Sequence, residues 1–454
     1  MQKNEIYQTE ITGMTAEGNG VCRIDGMAVF VPMTAVGDVL EVRIVKVLKH
    51  YAFGIIEKSI TPASGRITPV CPVFRQCGGC VFQHVNYQTE LQYKEQFVKD
   101  AFTRIGKLNP VFEPILRCDT RDRYRNKAQY PISEQNGKLV CGFYARHSHR
   151  VIPFADCPLH PEIFSEILNY LLPLLESCHV SAYDEKNHNG ELRHIYLRRG
   201  WHSGEIMLCF VTKVSIRKKL QNQLSGIQKQ FPEIKSITES VNPAKTNVIL
   251  GKAVTVLSGQ NFITDTMCGR KIKISPQSFY QVNTAQAEKL YQIARDYADL
   301  QGDERLLDLY CGAGTIGLSM TDSVSSLIGI EIIHEAVENA KSNAKLNQIT
   351  NAEFYCGDAG MISDMLLNQG IHPDVITLDP PRKGCDDLTI QSVIKMNPSR
   401  IVMISCNPST AARDAANFAE YGYITRKIMA VDLFPNTAHV EVVLLLSRQN
   451  SENK

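Results

Sequence analysis

The chain has 454 residues, a hydrophobic fraction of 44% and a formal net charge of +2 from 49 basic and 47 acidic side chains. Its length favours about three domains, and the near-balance of charge means that any positive surface must be local. The first residues carry no apolar signal core and no stretch approaches the ~18 apolar residues of a membrane span, so a soluble, unexported, cytoplasmic protein is expected.

Residues 1–60 alternate apolar and polar positions between glycine turns at Gly18-Asn19-Gly20, Asp25-Gly26 and Gly37-Asp38. Residues 28–32 and 39–47 read as short strands, and the tight turns between strands predict a small barrel. Thr61-Pro62-Ala63-Ser64-Gly65 then reads as a linker. Beyond it come Cys71, Cys77 and Cys80, spaced C-x5-C-x2-C, with Cys157 as a distant fourth. Of the 14 cysteines, few are expected in disulfides in a reducing cytosol. Unmetallated thiols are a poor account of three cysteines within ten residues, and the spacing fits either zinc or an iron–sulfur cluster. Two of the four precede proline and no histidine stands at ligand spacing among the first three, which tilts the balance towards iron–sulfur.

Arg117, Arg121, Arg123, Arg125 and Lys127 alternate with Tyr124 and Tyr130. Cations can follow phosphates while aromatic rings stack on unpaired bases, so this segment is a candidate RNA surface, with Arg193, Arg198 and Arg199 a weaker one. A charge run is more often a solvated face, and Asp119 and Asp122 dilute this one. Between 160 and 270 helical stretches at 162–176 and 217–230 mix with strand-like ones at 195–199, 205–211 and 253–257.

From residue 284 the pattern is regular. A helix at 284–298 precedes strands at 305–309, 327–330, 353–355, 375–378, 401–405 and 440–446 that alternate with helices, which predicts a doubly wound, mainly parallel sheet. The first strand runs into Tyr310-Cys311-Gly312-Ala313-Gly314-Thr315-Ile316-Gly317, a G-x-G-x-x-G turn, and Glu331 closes the next strand. Glycines there let the backbone approach a ligand, and the acid can accept hydrogen bonds from ribose hydroxyls. The motif marks an adenosine-ribose site and does not tell NAD from S-adenosylmethionine. Asp379-Pro380-Pro381-Arg382-Lys383-Gly384, at a later strand end, is an element that hydride transfer does not need. Cys406, ending the strand at 401–405, reaches the same sheet edge, where burial is a poor account of a thiol. A thiolate adding to carbon 6 of a pyrimidine would make carbon 5 nucleophilic and could leave afterwards. His439 and Glu441 are both candidates for the base that removes the carbon 5 proton, and spacing does not choose between them.

Taken together, Asp308-Leu309-Tyr310-Cys311-Gly312-Ala313-Gly314-Thr315, Asp379-Pro380-Pro381-Arg382-Lys383-Gly384, Ser405-Cys406-Asn407-Pro408 and Phe434-Pro435-Asn436-Thr437-Ala438-His439-Val440-Glu441 resemble the RNA (uracil-5-)-methyltransferase family. The likeness runs on through Ser275-Pro276-Gln277-Ser278-Phe279-Tyr280-Gln281 and the cysteines. The resemblance implies a Rossmann-like class I methyltransferase domain over 276–454, an OB-like TRAM barrel over 1–60 and a central iron–sulfur α/β domain over 61–275. It makes Cys406 the nucleophile and Glu441 the base. Gln281, Tyr310, Glu331, Asp358 and Asp379 become the S-adenosylmethionine contacts, and Cys71, Cys77, Cys80 and Cys157 the ligands of a [4Fe–4S] cluster. The TRAM barrel leans towards 23S ribosomal RNA as substrate, with a tRNA as the alternative, and a monomer is expected. An iron–sulfur oxidoreductase using NAD would leave Cys406 and Asp379 without roles. A non-catalytic RNA-binding factor would have no need of Cys406 and Glu441 together.

Overall fold

The computed structural model describes residues 1–448. The amino-terminal barrel is a six-stranded sheet in the spatial order Ile6–Glu10, Val39–Val47, Tyr51–Thr61, Met27–Pro32, Asn19–Ile24, Gly13–Met14. Period-two alternation sends Cys22, Val29, Val31, Leu40, Val42, Ile44 and Ala52 inward, where all are fully buried. The Asp25-Gly26 turn has φ of 51° and 80°, the doubly left-handed pair that suits a two-residue hairpin. Phe30, Tyr51 and Phe53 face outward with ring centroids 5.5 to 5.9 Å apart. Arg66 ties the barrel to the rest of the chain, forking onto both oxygens of the buried Asp38 at 2.7 and 2.6 Å.

Helix Tyr87–Asp100 starts at Asn86, whose side chain accepts from the Thr89 amide at 2.9 Å. Next comes a seven-stranded central sheet, ordered Val151–Pro153, Lys138–Tyr144, Lys127–Gln135, Leu192–Arg199, Ile206–Thr212, Ile234–Val241, Val254–Gly259. Helix Glu162–Ser177 covers it with Phe164, Ile167, Leu168, Leu171 and Leu175, a stripe at helical spacing. The single helix expected at 217–230 is two, Arg217–Leu220 and Leu224–Gln230. Leu220, Leu224 and Ile227 remain buried across the break, so the apolar period that suggested one helix does not reveal the interruption.

The third sheet has eight strands ordered Ala352–Cys356, Ser326–Glu331, Arg305–Leu309, Val375–Leu378, Arg400–Ser405, Glu441–Arg448, Tyr423–Val431, Val111–Leu116. The first five are parallel, and Glu441–Arg448 runs antiparallel beside Arg400–Ser405 with Ser405 opposite Val442. Reversal of the last strand brings its first residue, Glu441, to the edge where the parallel strands end. Strand order turns back between Arg305–Leu309 and Val375–Leu378, which opens a ligand crevice at their carboxyl ends. The outermost strand, Val111–Leu116, comes from the stretch expected to form the central domain. Among the described residues no helix is long and apolar enough to cross a membrane.

Candidate active site

The crevice is built from the turns at the carboxyl ends of the parallel strands. Tyr310 leaves its strand with φ of 62°, and Gly312 and Gly314 come after it at 56° and 80°. A Cβ on Gly312 would meet nothing within 4 Å, so the turn borders open space on its ligand side. Gly317 has the opposite surroundings, since a Cβ there would lie 2.8 Å from the Asp308 carboxylate and from Leu327. Glu331 ends the neighbouring strand with one oxygen accepting from the Gly312 amide (3.1 Å) and the other from the Ile333 amide (2.9 Å). Exposed Ile332 and Ile333 stand beside it. Asp358 caps helix Ala359–Asn368 by accepting from the Met361 amide. Gln281 lies near the Tyr291 hydroxyl, which meets Thr315 Oγ1 at 3.3 Å. Tyr310 donates to Thr389 Oγ1 at 3.2 Å.

Deeper in the crevice acids accumulate. Asp308 accepts from Thr377 at 2.7 Å and from the Gly317 amide at 3.0 Å. Burial nevertheless raises its pKa to about 6. Asp379 is raised to about 7 by burial and by Asp308. Glu441 is raised to about 8 by burial and by Asp379, against the pull of Arg382. At Cys406, burial, Glu441 and Asp379 raise the thiol, while the nearby Arg382 cation lowers it. Arg382 is held over this point by its main chain, whose carbonyl accepts from Asn407 Nδ2 (3.0 Å) and Thr410 Oγ1 (3.3 Å). His439 lies on the exposed rim, where partial desolvation and the cations Arg382, Lys94 and Arg125 lower its pKa.

The structure therefore gathers Cys406, Asp379 and Glu441 at one place, with Gln281, Tyr310, Glu331 and Asp358 around the adjoining crevice. Asp308 and Arg382 were not expected as site groups; a carboxylate inside an otherwise apolar strand and a cation after two prolines were the signals available.

Loop 432–440, which carries His439, hangs from the amino-terminal half of the chain. Lys94 donates to the Phe434 carbonyl (3.1 Å), Tyr124 to that of Pro435 (2.9 Å), and the amides of Val81 and Phe82 to that of Asn436 (2.9 and 3.1 Å). Behind these contacts Lys94 Nζ bridges Glu90 at 2.8 Å and Asp432 at 2.6 Å, all three side chains having no exposure. Arg121 binds the second oxygen of Glu90 at 2.9 Å.

The basic segment needs correction. Arg121 points inward to Glu90 and to the carbonyls of Phe82 and Val85, and Arg123 holds Asp156 and two carbonyls. Arg193 and Arg198 are buried on carbonyls of 242–246 and 275–278, while Tyr124 and Tyr130 belong to the core. These residues saturate main-chain acceptors and are not free for RNA. Arg117 is exposed over the Tyr87 ring. Lys127 is lowered to about 8 by burial and by its cationic neighbours Arg198 and Arg125.

Cys71, Cys80 and Cys157 share one small apolar cluster with Phe74, Tyr124 and Leu159. Cys77 joins them closely enough for the thiols to raise one another electrostatically. Cys77 Sγ accepts from the Gly79 amide (3.3 Å) and Cys80 Sγ from Gln83 (3.4 Å). Two of the four sulfurs thus accept hydrogen bonds, as thiolate ligands of iron do. Among the described residues, however, no group of three or more His, Cys, Asp or Glu side chains stands close enough to hold one metal ion, so an iron–sulfur domain is not established.

Residues 86–449 match the family model described as tRNA (Uracil-5-)-methyltransferase, and residues 2–56 match the TRAM domain. An uncharacterized RNA methyltransferase of Clostridium tetani is 40% identical over 454 residues, covering 100% of this chain and 99% of that one. Another from Bacillus cereus (strain ATCC 10987) is 41% identical over 449 residues, covering 99% and 98%. The solved structure of Pyrococcus abyssi tRNA (uracil-54, C5)-methyltransferase with S-adenosyl-L-homocysteine superposes with a TM-score of 0.76 at 27% identity. It covers 97% of this chain and 99% of that one.

Proposed function

Because the chain belongs to the RNA (uracil-5-)-methyltransferase family, S-adenosylmethionine-dependent and fronted by a TRAM domain, we propose that Cys406 and Glu441 carry the reaction through a covalent RNA adduct. The observation that carries this reading is the meeting of a thiol, a cation and a buried carboxylate at one sheet edge: Cys406 follows strand Arg400–Ser405, Glu441 opens the antiparallel strand beside it with Ser405 opposite Val442, and Arg382 and Glu441 both lie near enough to act on the thiol.

S-adenosylmethionine, when bound, supplies an electrophilic methyl group on a sulfonium. The crevice residues suit it. Glu331 presents a carboxylate beside the open face of Gly312, and no donor within the described chain reaches the Asp379 carboxylate, whose buried charge a sulfonium or amine would compensate. Arg382 stabilises the thiolate of Cys406. The thiolate adds to carbon 6 of the uracil, and the ring's π electrons collect on the carbon 5 enolate. Carbon 5 takes the methyl group as its bond to the sulfonium sulfur breaks and S-adenosylhomocysteine departs, Glu441 removes the proton left at carbon 5, and the pair returning to the ring expels the thiolate. Between the two candidate bases, Glu441, at about 8, is better matched to the task than His439, whose imidazole is weakened. Incubation with RNA containing 5-fluorouracil tests the route. Wild type should form a stable covalent complex, and Cys406→Ala should lose it while still binding S-adenosylmethionine; a complex in that variant sinks the assignment.

The substrate in this reading is 23S ribosomal RNA. The TRAM barrel is the feature by which the family resemblance leans to it, although the likeness to a tRNA enzyme spans the barrel as well, covering 97% of this chain. The barrel's outward aromatic trio, rimmed by exposed Lys46 and Lys49, suits stacking of unpaired bases, and Arg117 and Lys127 suit phosphates. A tRNA is the second reading, favoured by the full-length likeness to a tRNA (uracil-54, C5)-methyltransferase. Mapping 5-methyluridine in both RNAs from cells with and without the gene decides between them. Cys71, Cys77, Cys80 and Cys157 are the proposed ligands of a [4Fe–4S] cluster on the family resemblance, with Cys71, Cys80 and Cys157 sharing one apolar cluster. Its place is structural, since methyl transfer moves no net electron.

A further inference from the structure

The buried face of helix Tyr87–Asp100 carries Leu91, Phe97 and Val98, yet also Glu90 and Lys94 with no exposure at all. Apolar residues at 90 and 94 would bury more cheaply, because desolvating an ion pair can cost more than its attraction returns. Stability is therefore a poor reason for these charges. Their other contacts are more informative. Glu90 accepts from the Asn436 amide at 2.7 Å, Lys94 donates to the Phe434 carbonyl at 3.1 Å and grips Asp432 at 2.6 Å, and Tyr87 donates to the other oxygen of Asp432 at 2.7 Å. Asn436 returns a bond from Nδ2 to the Arg121 carbonyl at 2.9 Å. Two cations and two carboxylates balance in charge, and each charge that a neutral residue could replace also holds the loop whose end is Glu441.

We propose that Glu90, Lys94 and Asp432 are positioning residues for the reaction, a buried ionic clamp by which the amino-terminal helix sets loop 432–440 and so places Glu441 against Cys406. The proposal rests on the reading of Glu441 as the base. It assigns the clamp to the last half of the cycle, since proton removal from carbon 5 and release of Cys406 require Glu441, whereas addition of the thiolate does not.

The test uses the full chain and uridine-containing RNA. Lys94→Met with Asp432→Asn removes one charge of each sign and keeps the Arg121–Glu90 pair (2.9 Å). Asn436→Gly removes a tether from the loop side and keeps a residue that tolerates its φ of 69°. Both variants should bind S-adenosylmethionine as wild type does. Turnover should fall by roughly 100-fold in the double variant and roughly 10-fold in the glycine variant, as misplacement of a reacting group by ~1 Å can produce. In both, methylated RNA should accumulate covalently on the protein in denaturing gels, as it should in Glu441→Gln. Loss of folded protein alone would lower all steps together and build up no adduct. Wild-type turnover, or lost turnover without adduct while Glu441→Gln does accumulate it, overturns the clamp. Absence of adduct in Glu441→Gln itself overturns the base assignment, and the clamp falls with it.

Discussion

In the proposed reaction Cys406 and Glu441 must each lose a proton, and each is restrained by the acids around it. Arg382 works against that restraint at both positions. Because kcat/KM reports the groups of the free enzyme, its logarithm should climb with pH through about 8, the value at Glu441. Arg382→Gln should move that limb to higher pH and lower kcat/KM at pH 7.5 by about 10-fold; a profile that does not move would remove Arg382 from the chemistry. Stability gives an independent check. The folded-state pKa of Glu441 lies above its ordinary value of 4.5, so the native state holds that proton more tightly than the unfolded chain. The resulting stability is complete below 4.5 and is lost as pH rises through about 8. Glu441→Gln should therefore melt with wild type at pH 4.5 and above it at pH 9, by on the order of 1–3 kcal/mol. Equal melting at both pH values would mean that the carboxyl is not desolvated.

At the scale of elements, Gly317 fixes how closely helix Thr315–Ser319 approaches its sheet. Gly317→Ala should cost about 1–3 kcal/mol by overpacking and weaken S-adenosylmethionine binding, because Asp308 and Leu327 would have to move. Urea unfolding and equilibrium binding read the two effects, and an unchanged midpoint would show that the neighbours yield freely. This approach was legible in the sequence because strand, glycines, helix and acid are near one another along the chain, and local chemistry states their relation. The strands at 305–309 and 375–378 were legible for the same reason. Val111–Leu116 was not: it is a half-exposed edge strand whose partner, Tyr423–Val431, is some three hundred residues away. Glu90 and Lys94 failed differently. An acid and a lysine four apart are the ordinary mark of a solvated helix pair, and nothing local says that this face will be enclosed. Arg121, Arg193 and Arg198 misled for the converse reason, since cations that saturate buried carbonyls look like any other cations in a sequence.

Over the whole molecule, the methyltransferase region is not self-contained. A fragment of residues 276–454 lacks the edge strand Val111–Leu116 and the tethers that residues 81–124 make to loop 432–440, keeping the bond from Asn283 to the Leu433 carbonyl (3.0 Å). It should bind S-adenosylmethionine at least 10-fold more weakly than the full chain and form no complex with 5-fluorouracil RNA; wild-type binding by the fragment would show that these additions are ornamental. The barrel should be separable. Triple substitution of Phe30, Tyr51 and Phe53 by alanine, all on its outer face, should leave S-adenosylmethionine affinity unchanged. RNA affinity should fall by about 10-fold or more, given ~1–3 kcal/mol per stacked base; unchanged RNA affinity would place recognition elsewhere. The tie between Lys94 and Asp432 has a consequence in time as well. The two are 338 positions apart, so at ~5–20 residues per second of synthesis the lysine precedes the aspartate by roughly half a minute. Until then Lys94 has only Glu90 and water, while Glu90 can also pair with Arg121. A nascent chain that has not reached Asp432 also lacks the strand Glu441–Arg448, which lies inside the catalytic sheet. Sheet and loop are thus completed together, and a chain truncated before Asp432 is expected neither to hold its methyl donor as the full chain does nor to transfer from it.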